Sequence, residues 1–285
     1  MDYINPDALV STDWLEQHLN APDVRVVDAT FYLPHDERDA AEEYSIRHIP
    51  GAVYFNIDEI CDSDTDLPHM LPSAEKFSSK VRKLGLGDGN RIVVYDSSGG
   101  FMAACRVWWM FRLFGHKDVA VLNGGLPKWM QEKRPINDHE VIPQDRHFSA
   151  SQNNFLVKDL SQMMANLENH KFQVVDARSS GRFDGIDHEP RPTEKRGHIP
   201  GSLNLPFPAL LNPKDNFTFK SADEILTAFT GAGIDVNKPV AASCGSGVTA
   251  AVTAFALYLL GHDQVAVYDG SWAQWGDHAD TPVGP

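Results

Sequence analysis

Short apolar runs alternate with segments of helical period along the whole chain. Val24–Val27, Ile92–Val94 and Val119–Leu122 read as buried strands in the first half, and Gln173–Val175, Val240–Ala242 and Val265–Tyr268 as their partners in the second. Between them lie amphipathic patterns such as Leu160, Met163, Met164 and Leu167. Ser221-Ala-Asp-Glu224 has the form of a capping box and opens the apolar pattern Ile225, Leu226, Phe229. Strand and helix in alternation predict an α/β fold in which a mostly parallel sheet is flanked by helices. Functional groups are then expected at the carboxyl ends of the strands.

The pattern occurs twice. VRVVDA at 24–29 returns as FQVVDA at 172–177, and RHIPGA at 47–52 as GHIPGS at 197–202. SAE at 73–75 recurs as SAD at 221–223, and LGL at 84–86 as AGI at 232–234. FGHKDVAVLNGGLPKW at 114–129 echoes LGHDQVAVYDGSWAQW at 260–275. Order and spacing both hold, at offsets of 146 to 150 residues, so the chain is expected to be two copies of one domain. We expect the first domain over 1–138, a polar linker over 139–155 and the second domain over 156–285.

Composition narrows the classes further. Hydrophobic residues make up 42% and charged residues 22%, which excludes wholesale disorder, collagen-like repeats and a coiled-coil rod. A net charge of −14 repels nucleic acid and anionic membrane, and no Lys/Arg run supplies a local basic patch. Neither is an expected partner. The longest apolar stretch, Val248–Leu260, is too short for a membrane span and reads as a buried helix. The opening MDYINPDALV has no basic region or apolar core of a targeting segment, so a cytoplasmic location is expected. Cys61, Cys105 and Cys244 are too few and too scattered for a disulfide framework or a zinc cluster. With no GxGxxG, P-loop or metal-ligand cluster, neither a cofactor nor a metal is expected.

One loop breaks the symmetry. Aligned at the repeat offset, VVYDSSGGFMAA (93–104) lies over AASCGSGVTAA (241–251), and Asp96 stands where the second copy has Cys244. This suggests that one copy does the chemistry and that the first is catalytically degenerate. Cys244 ends a strand and precedes Gly245-Ser246-Gly247. Such glycines let the backbone curl its N–H groups inward as an anion nest, with the following helix aiming its positive end at the same point. That setting favours a thiolate and would cradle a sulfur attached to it. A cysteine phosphatase would need an Arg six positions after the Cys, and Ala250 is there.

CGSGVTA at 244–250, the paired HIPG motifs and the closing YDGSWAQW together resemble the tandem-rhodanese-domain sulfurtransferases over nearly the whole chain. Family members that use thiosulfate carry basic residues after the cysteine, whereas this loop is similar to those of the 3-mercaptopyruvate branch. Thiosulfate is a dianion that favours cationic neighbours, while mercaptopyruvate has one carboxylate that can be held elsewhere. The resemblance implies sulfur transfer from 3-mercaptopyruvate to a thiol or cyanide acceptor, or reduced thioredoxin, through a persulfide on Cys244. The active-site loop is then Gly245, Ser246, Gly247, Val248 and Thr249. It also implies that Arg182 and Arg191, in GRFDGIDHEPR, bind the substrate carboxylate in bidentate fashion. Asp58 and His69, from FNIDEI and LPHMLP of the first half, are implied to reach the loop and form a Ser246–His69–Asp58 relay.

The remaining motifs carry blander expectations. His48 and His198 recur once per copy and are expected to fix turns, and Asp28 and Asp176 to tether loops by accepting backbone hydrogen bonds. Trp108, Trp109, Trp129, Trp272 and Trp275 are expected in the core, Cys105 is expected to be buried and inert, and Cys61 to lie in an acidic surface loop. Two other functions stay open on sequence alone: a thiosulfate:cyanide sulfurtransferase, and a docking module or sulfur carrier without turnover.

Overall fold

The structure is a computed structural model that describes residues 1–33, 36–99 and 102–284. The first half holds strands β1 (Leu9–Val10), β2 (Val24–Asp28), β3 (Val53–Tyr54), β4 (Arg91–Tyr95) and β5 (Val119–Leu122). Its helices are α1 (Thr12–His18), α2 (Ala40–Ile46), α3 (Ala74–Lys83), α4 (Met102–Leu113) and α5 (Gly125–Gln131). The second half holds β6 (Val157–Lys158), β7 (Gln173–Asp176), β8 (Leu203–Asn204), β9 (Leu211–Asn212), β10 (Thr218–Phe219), β11 (Val240–Ser243) and β12 (Ala266–Tyr268). Its helices are α6 (Leu160–Asn169), α7 (Ser180–Phe183), α8 (Ala222–Gly231), α9 (Ala250–Leu259) and α10 (Ser271–Trp275).

The two halves share one topology. Five strands pair in the order β1-β5-β4-β2-β3 in the first and β6-β12-β11-β7-β8 in the second, all in parallel. An added antiparallel ribbon, β9–β10, has no counterpart among the described residues of the first half. Strand residues alternate between two apolar layers, as the two-residue period requires. Ile92 and Val94 of β4 face one layer and Val93 and Tyr95 the other. A parallel sheet covered on both faces needs such strands, and α1 and α5 cover the second face with Leu15, Leu126 and Trp129.

The helices that follow the two repeated loops, α4 and α9, face each other across the domain boundary. Every α9 residue except Tyr258 is buried, as is all of α4 except Met102 and Arg112. A helix apolar all round must sit inside a protein. Here each is the other's cover: Trp108 stands edge-on to Phe255 at 4.7 Å, and Arg112 stacks over Tyr258 at 3.9 Å. The apolar layer runs without a break from one domain into the other. The α4–α9 contact thereby joins the two domains through one continuous core.

The expected strands and the buried helix are present, with shifted ends. Val265 lies outside β12, and α9 begins at Ala250, leaving Val248 and Thr249 to the loop. The two-residue strands β1, β3, β6 and β8 are too short to show an alternation. The Ser221–Glu224 capping box forms, and Asp159–Gln162 makes another. Residues 132–153 carry neither helix nor strand, and Phe148 anchors them between Phe77 and Phe111. No helix of the described residues is long and apolar enough to cross a membrane.

Candidate active site

Cys244 sits at the carboxyl end of β11, 1% exposed. Its carbonyl accepts the N–H of Trp272 at 2.9 Å, and its own N–H donates to Ser271 Oγ at 3.1 Å. Ser271 takes a left-handed backbone angle, φ 47°, where its first-domain counterpart is Gly125. Its hydroxyl also donates to the Tyr268 carbonyl at 2.7 Å, and these two bonds offset the strain. From Gly245 to Thr249 no backbone N–H donates to a described residue, and α9 starts without a side-chain cap. Five backbone donors and a helix N-terminus without a described partner therefore follow directly on this thiol.

The two loop glycines differ in what they accommodate. Gly247 has φ 74°, and a Cβ there would lie 2.8 Å from the Asp269 carbonyl and 3.1 Å from Arg106 Nη1. Gly245 has an ordinary φ, yet a Cβ would meet Arg182 Nη2 at 2.7 Å. The Arg182 guanidinium thus lies directly on the thiol loop.

The first domain shows what occupies such a loop when the cysteine is absent. Asp96 accepts hydrogen bonds from Ser98 N, Ser98 Oγ and Ala104 N at 3.2, 2.8 and 3.0 Å. Its carboxylate thus takes one N–H of the loop and one from the first turn of α4. Burial pushes its pKa above the ordinary value, with these bonds pulling the other way.

The pocket above Cys244 is bounded by Arg182, Glu189 and Arg191 on one side and by Phe31, Leu33 and Met102 of the first domain on another. Ser246, Val248 and Thr249 line its floor. Arg182 extends from α7, where its guanidinium is held by Glu189. Arg191 donates from Nη2 to His69 Nε2 at 3.0 Å. An accepting Nε2 leaves the proton of a neutral ring on Nδ1. Asp58 Oδ1 lies 3.1 Å from that atom, outside good hydrogen-bond alignment. Burial lowers the His69 pKa, and the neighbouring ring keeps the Asp58 carboxyl below its ordinary range.

Asp58 and His69 are therefore together, and both come from the first domain. The expected continuation to Ser246 is not: His69 Nε2 is engaged by Arg191, and the Ser246 hydroxyl bonds no described residue.

His48 and His198 hold their turns through Nδ1 contacts to the Tyr44 and Phe183 carbonyls, each ring stacked on that same aromatic residue. Asp28 and Asp176 accept the N–H of Thr30 and of Arg178. Cys105 is buried, and Cys61 donates to the Asp58 carbonyl. Sequence reasoning passed over Arg106, Asp269, Arg178, Glu189 and Ser271. Arg106 carried a signal, a charged residue inside the apolar run Met102–Leu113.

Two stretches, residues 11–132 and 157–278, match the rhodanese-like domain family. The chain is 42% identical to the 3-mercaptopyruvate sulfurtransferase of Homo sapiens, over 94% of this chain and 91% of that protein. It is 43% identical to the thiosulfate sulfurtransferase of Gallus gallus, over 94% and 93%. The crystal structure of the 3-mercaptopyruvate sulfotransferase SseA from Escherichia coli superposes with a TM-score of 0.85 at 38% identity, covering 93% of this chain and 98% of that one. The duplicated topology, the thiol loop and both matched stretches make this chain a member of the rhodanese-like domain family, with two copies of the domain.

Proposed function

We propose that this chain is a sulfurtransferase that moves sulfur from 3-mercaptopyruvate to a thiophilic acceptor through a persulfide on Cys244. One observation carries the reading: a single thiol is followed by unpartnered backbone amides in a pocket whose lining includes Arg182 and Arg191. The relatives carry both substrate names, 3-mercaptopyruvate and thiosulfate, so the choice between them rests on the loop. Gly245, Ser246 and Gly247 add no loop cation of the kind a dianion favours, while Arg182 and Arg191 suit one carboxylate.

The reaction proceeds in two steps. Arg182 and Arg191 bind the donor carboxylate. The Cys244 proton passes to a base, for which His69, neutral and backed by Asp58, is the candidate once Arg191 turns from its Nε2 to the donor carboxylate. The Cys244 sulfur attacks the donor sulfur; the S–S bond forms as the C–S bond breaks, and the electron pair leaves as pyruvate enolate. The enolate regains the proton at its methylene carbon, giving pyruvate and an enzyme persulfide. The loop amides and the Ser246 hydroxyl receive the charge on the sulfurs. A thiol, cyanide or reduced thioredoxin then takes the outer sulfur and restores the Cys244 thiol. The three cysteines are free, as a reducing compartment such as the cytoplasm would keep them.

Intact mass after mixing with mercaptopyruvate tests the reading. One added sulfur on the wild type and none on C244S is the expected result. An equal gain in both proteins, or none in either, refutes it. Thiosulfate turnover equal to that with mercaptopyruvate would refute the choice of donor.

A further inference from the structure

Glu189 stands between two arginines. Its Oε1 accepts from Arg178 Nη1 at 2.7 Å, and its Oε2 accepts from Arg182 Nε at 3.0 Å and from Arg182 Nη2. The Glu189 side chain is 6% exposed. Behind it Arg178 is fully buried, binding both oxygens of Asp176 and the Gly197 carbonyl, with its guanidinium 4.4 Å over the Trp272 ring. From the interior to the pocket the row reads Asp176, Arg178, Glu189, Arg182. The signs alternate and the charges sum to zero.

Arg191 differs. Among the described residues no carboxylate lies within ion-pair distance of it; its guanidinium faces the neutral His69 ring. Asp58, on the far side of that ring, attracts Arg191 from beyond ion-pair distance and, with its side chain 60% exposed, is partly screened by solvent. With Arg182 cancelled and Arg191 not, the pocket offers one uncompensated positive charge.

We infer that Glu189 determines the charge of the sulfur donor: by neutralising Arg182 it matches the pocket to a monoanion and sets it against a dianion. This rests on the sulfurtransfer reading above. At an effective dielectric constant of about 20, one unit charge a few ångströms away shifts binding by at least about tenfold. Glu189 also aims the Arg182 fork, whose guanidinium lies on Gly245. The carboxylate-binding group and the thiol loop are thereby locked at a fixed separation. Discrimination and alignment then come from one side chain, and two substitutions separate them.

The test compares kcat/KM for thiosulfate and mercaptopyruvate in wild type, E189Q and E189D. We expect E189Q to raise the thiosulfate-to-mercaptopyruvate ratio about tenfold. E189D keeps the charge one methylene back and is expected to lower both values while leaving the ratio near that of wild type. Equal losses toward both donors in E189Q would overturn the inference and reduce Glu189 to a scaffold residue. A wild type that takes sulfur from neither donor would overturn the sulfurtransfer reading itself, and this inference with it. Should E189Q fail to fold, competitive inhibition of the wild type by pyruvate and by sulfate reads the same property. Stronger inhibition by pyruvate is expected, and equal or stronger inhibition by sulfate overturns the assignment.

Discussion

Arg106 of the first domain donates from Nη2 to Asp269 Oδ1 of the second at 2.7 Å, and neither side chain is more than 6% exposed. The same guanidinium donates to the His69 carbonyl at 2.6 Å and to the Gly247 carbonyl at 3.3 Å, while Asp269 Oδ2 accepts the Leu71 N–H at 2.7 Å. His69 has φ 59° and Gly247 φ 74°, so one ion pair pins two left-handed positions on opposite sides of the domain boundary. Removing one partner of a buried pair leaves the other charge uncompensated. R106M is expected to lose about 3–5 kcal/mol of stability in urea unfolding. D269N, which keeps an acceptor for the guanidinium, is expected to lose less. In both, kcat is expected to fall by a larger factor than KM rises, because the pair touches the loop and not the donor. A wild-type unfolding midpoint and kcat in R106M would refute this.

Buried His69 has its pKa lowered, and Asp58 works against that lowering. The folded state therefore prefers the neutral ring. Its share of stability is complete above the ordinary value near 6.5 and is lost as pH falls through the lower folded value. A protonated ring would also turn a second donor toward Arg191. The acid limb of kcat/KM is expected below pH 6.5, and D58N, which removes the supporting charge, should move it lower still. A limb that stays in place or moves up in D58N would show that another group titrates.

The duplication and the thiol loop were legible because they are local: a strand, three small residues and an apolar helix adjoin in sequence and so adjoin in space. Asp58, His69, Arg182 and Arg191 were reached through resemblance, since nothing in a loop's own sequence says which cavity it borders. What escaped was long-range. Arg106 and Asp269 are 163 residues apart, and the pair becomes visible once α4 and α9 are packed together. The Ser246–His69–Asp58 relay missed for the same reason, because the position of Arg191 was a property of the folded loop.

Lysine at either pocket arginine tests the bidentate role. A lysine keeps the charge and loses the planar fork. R191K is expected to raise KM for mercaptopyruvate about tenfold, a loss of about 1.4 kcal/mol of binding. R182K should do more, since Glu189 holds the arginine through both Nε and Nη2 and a single ammonium cannot span that contact. The measurement is steady-state kinetics beside single-turnover persulfide formation. Unchanged KM in both variants would move donor binding elsewhere.

The duplication also left an unbalanced charge in the first domain. In the second, the strand-end Asp176 is neutralised by Arg178, two residues on. At the corresponding place after Asp28 stands Thr30, which donates through its N–H and hydroxyl but carries no charge. Burial accordingly raises the Asp28 pKa from 3.8 to about 6, against the lowering effect of the Thr30 and Tyr95 hydrogen bonds. A carboxyl that holds its proton more tightly when folded stabilises the fold below its unfolded pKa, and that contribution is lost as pH rises through the folded value. The difference of about two units corresponds to about 3 kcal/mol by pH 7. D28N, isosteric and always neutral, still offers an oxygen to Thr30. It is expected to be more stable than wild type by up to about 3 kcal/mol above pH 6, and to lose that advantage below about pH 4. Urea unfolding across pH 4 to 8 measures both curves. A constant gap between them would mean that Asp28 is already ionised at no cost, and that Thr30 replaces the arginine in full.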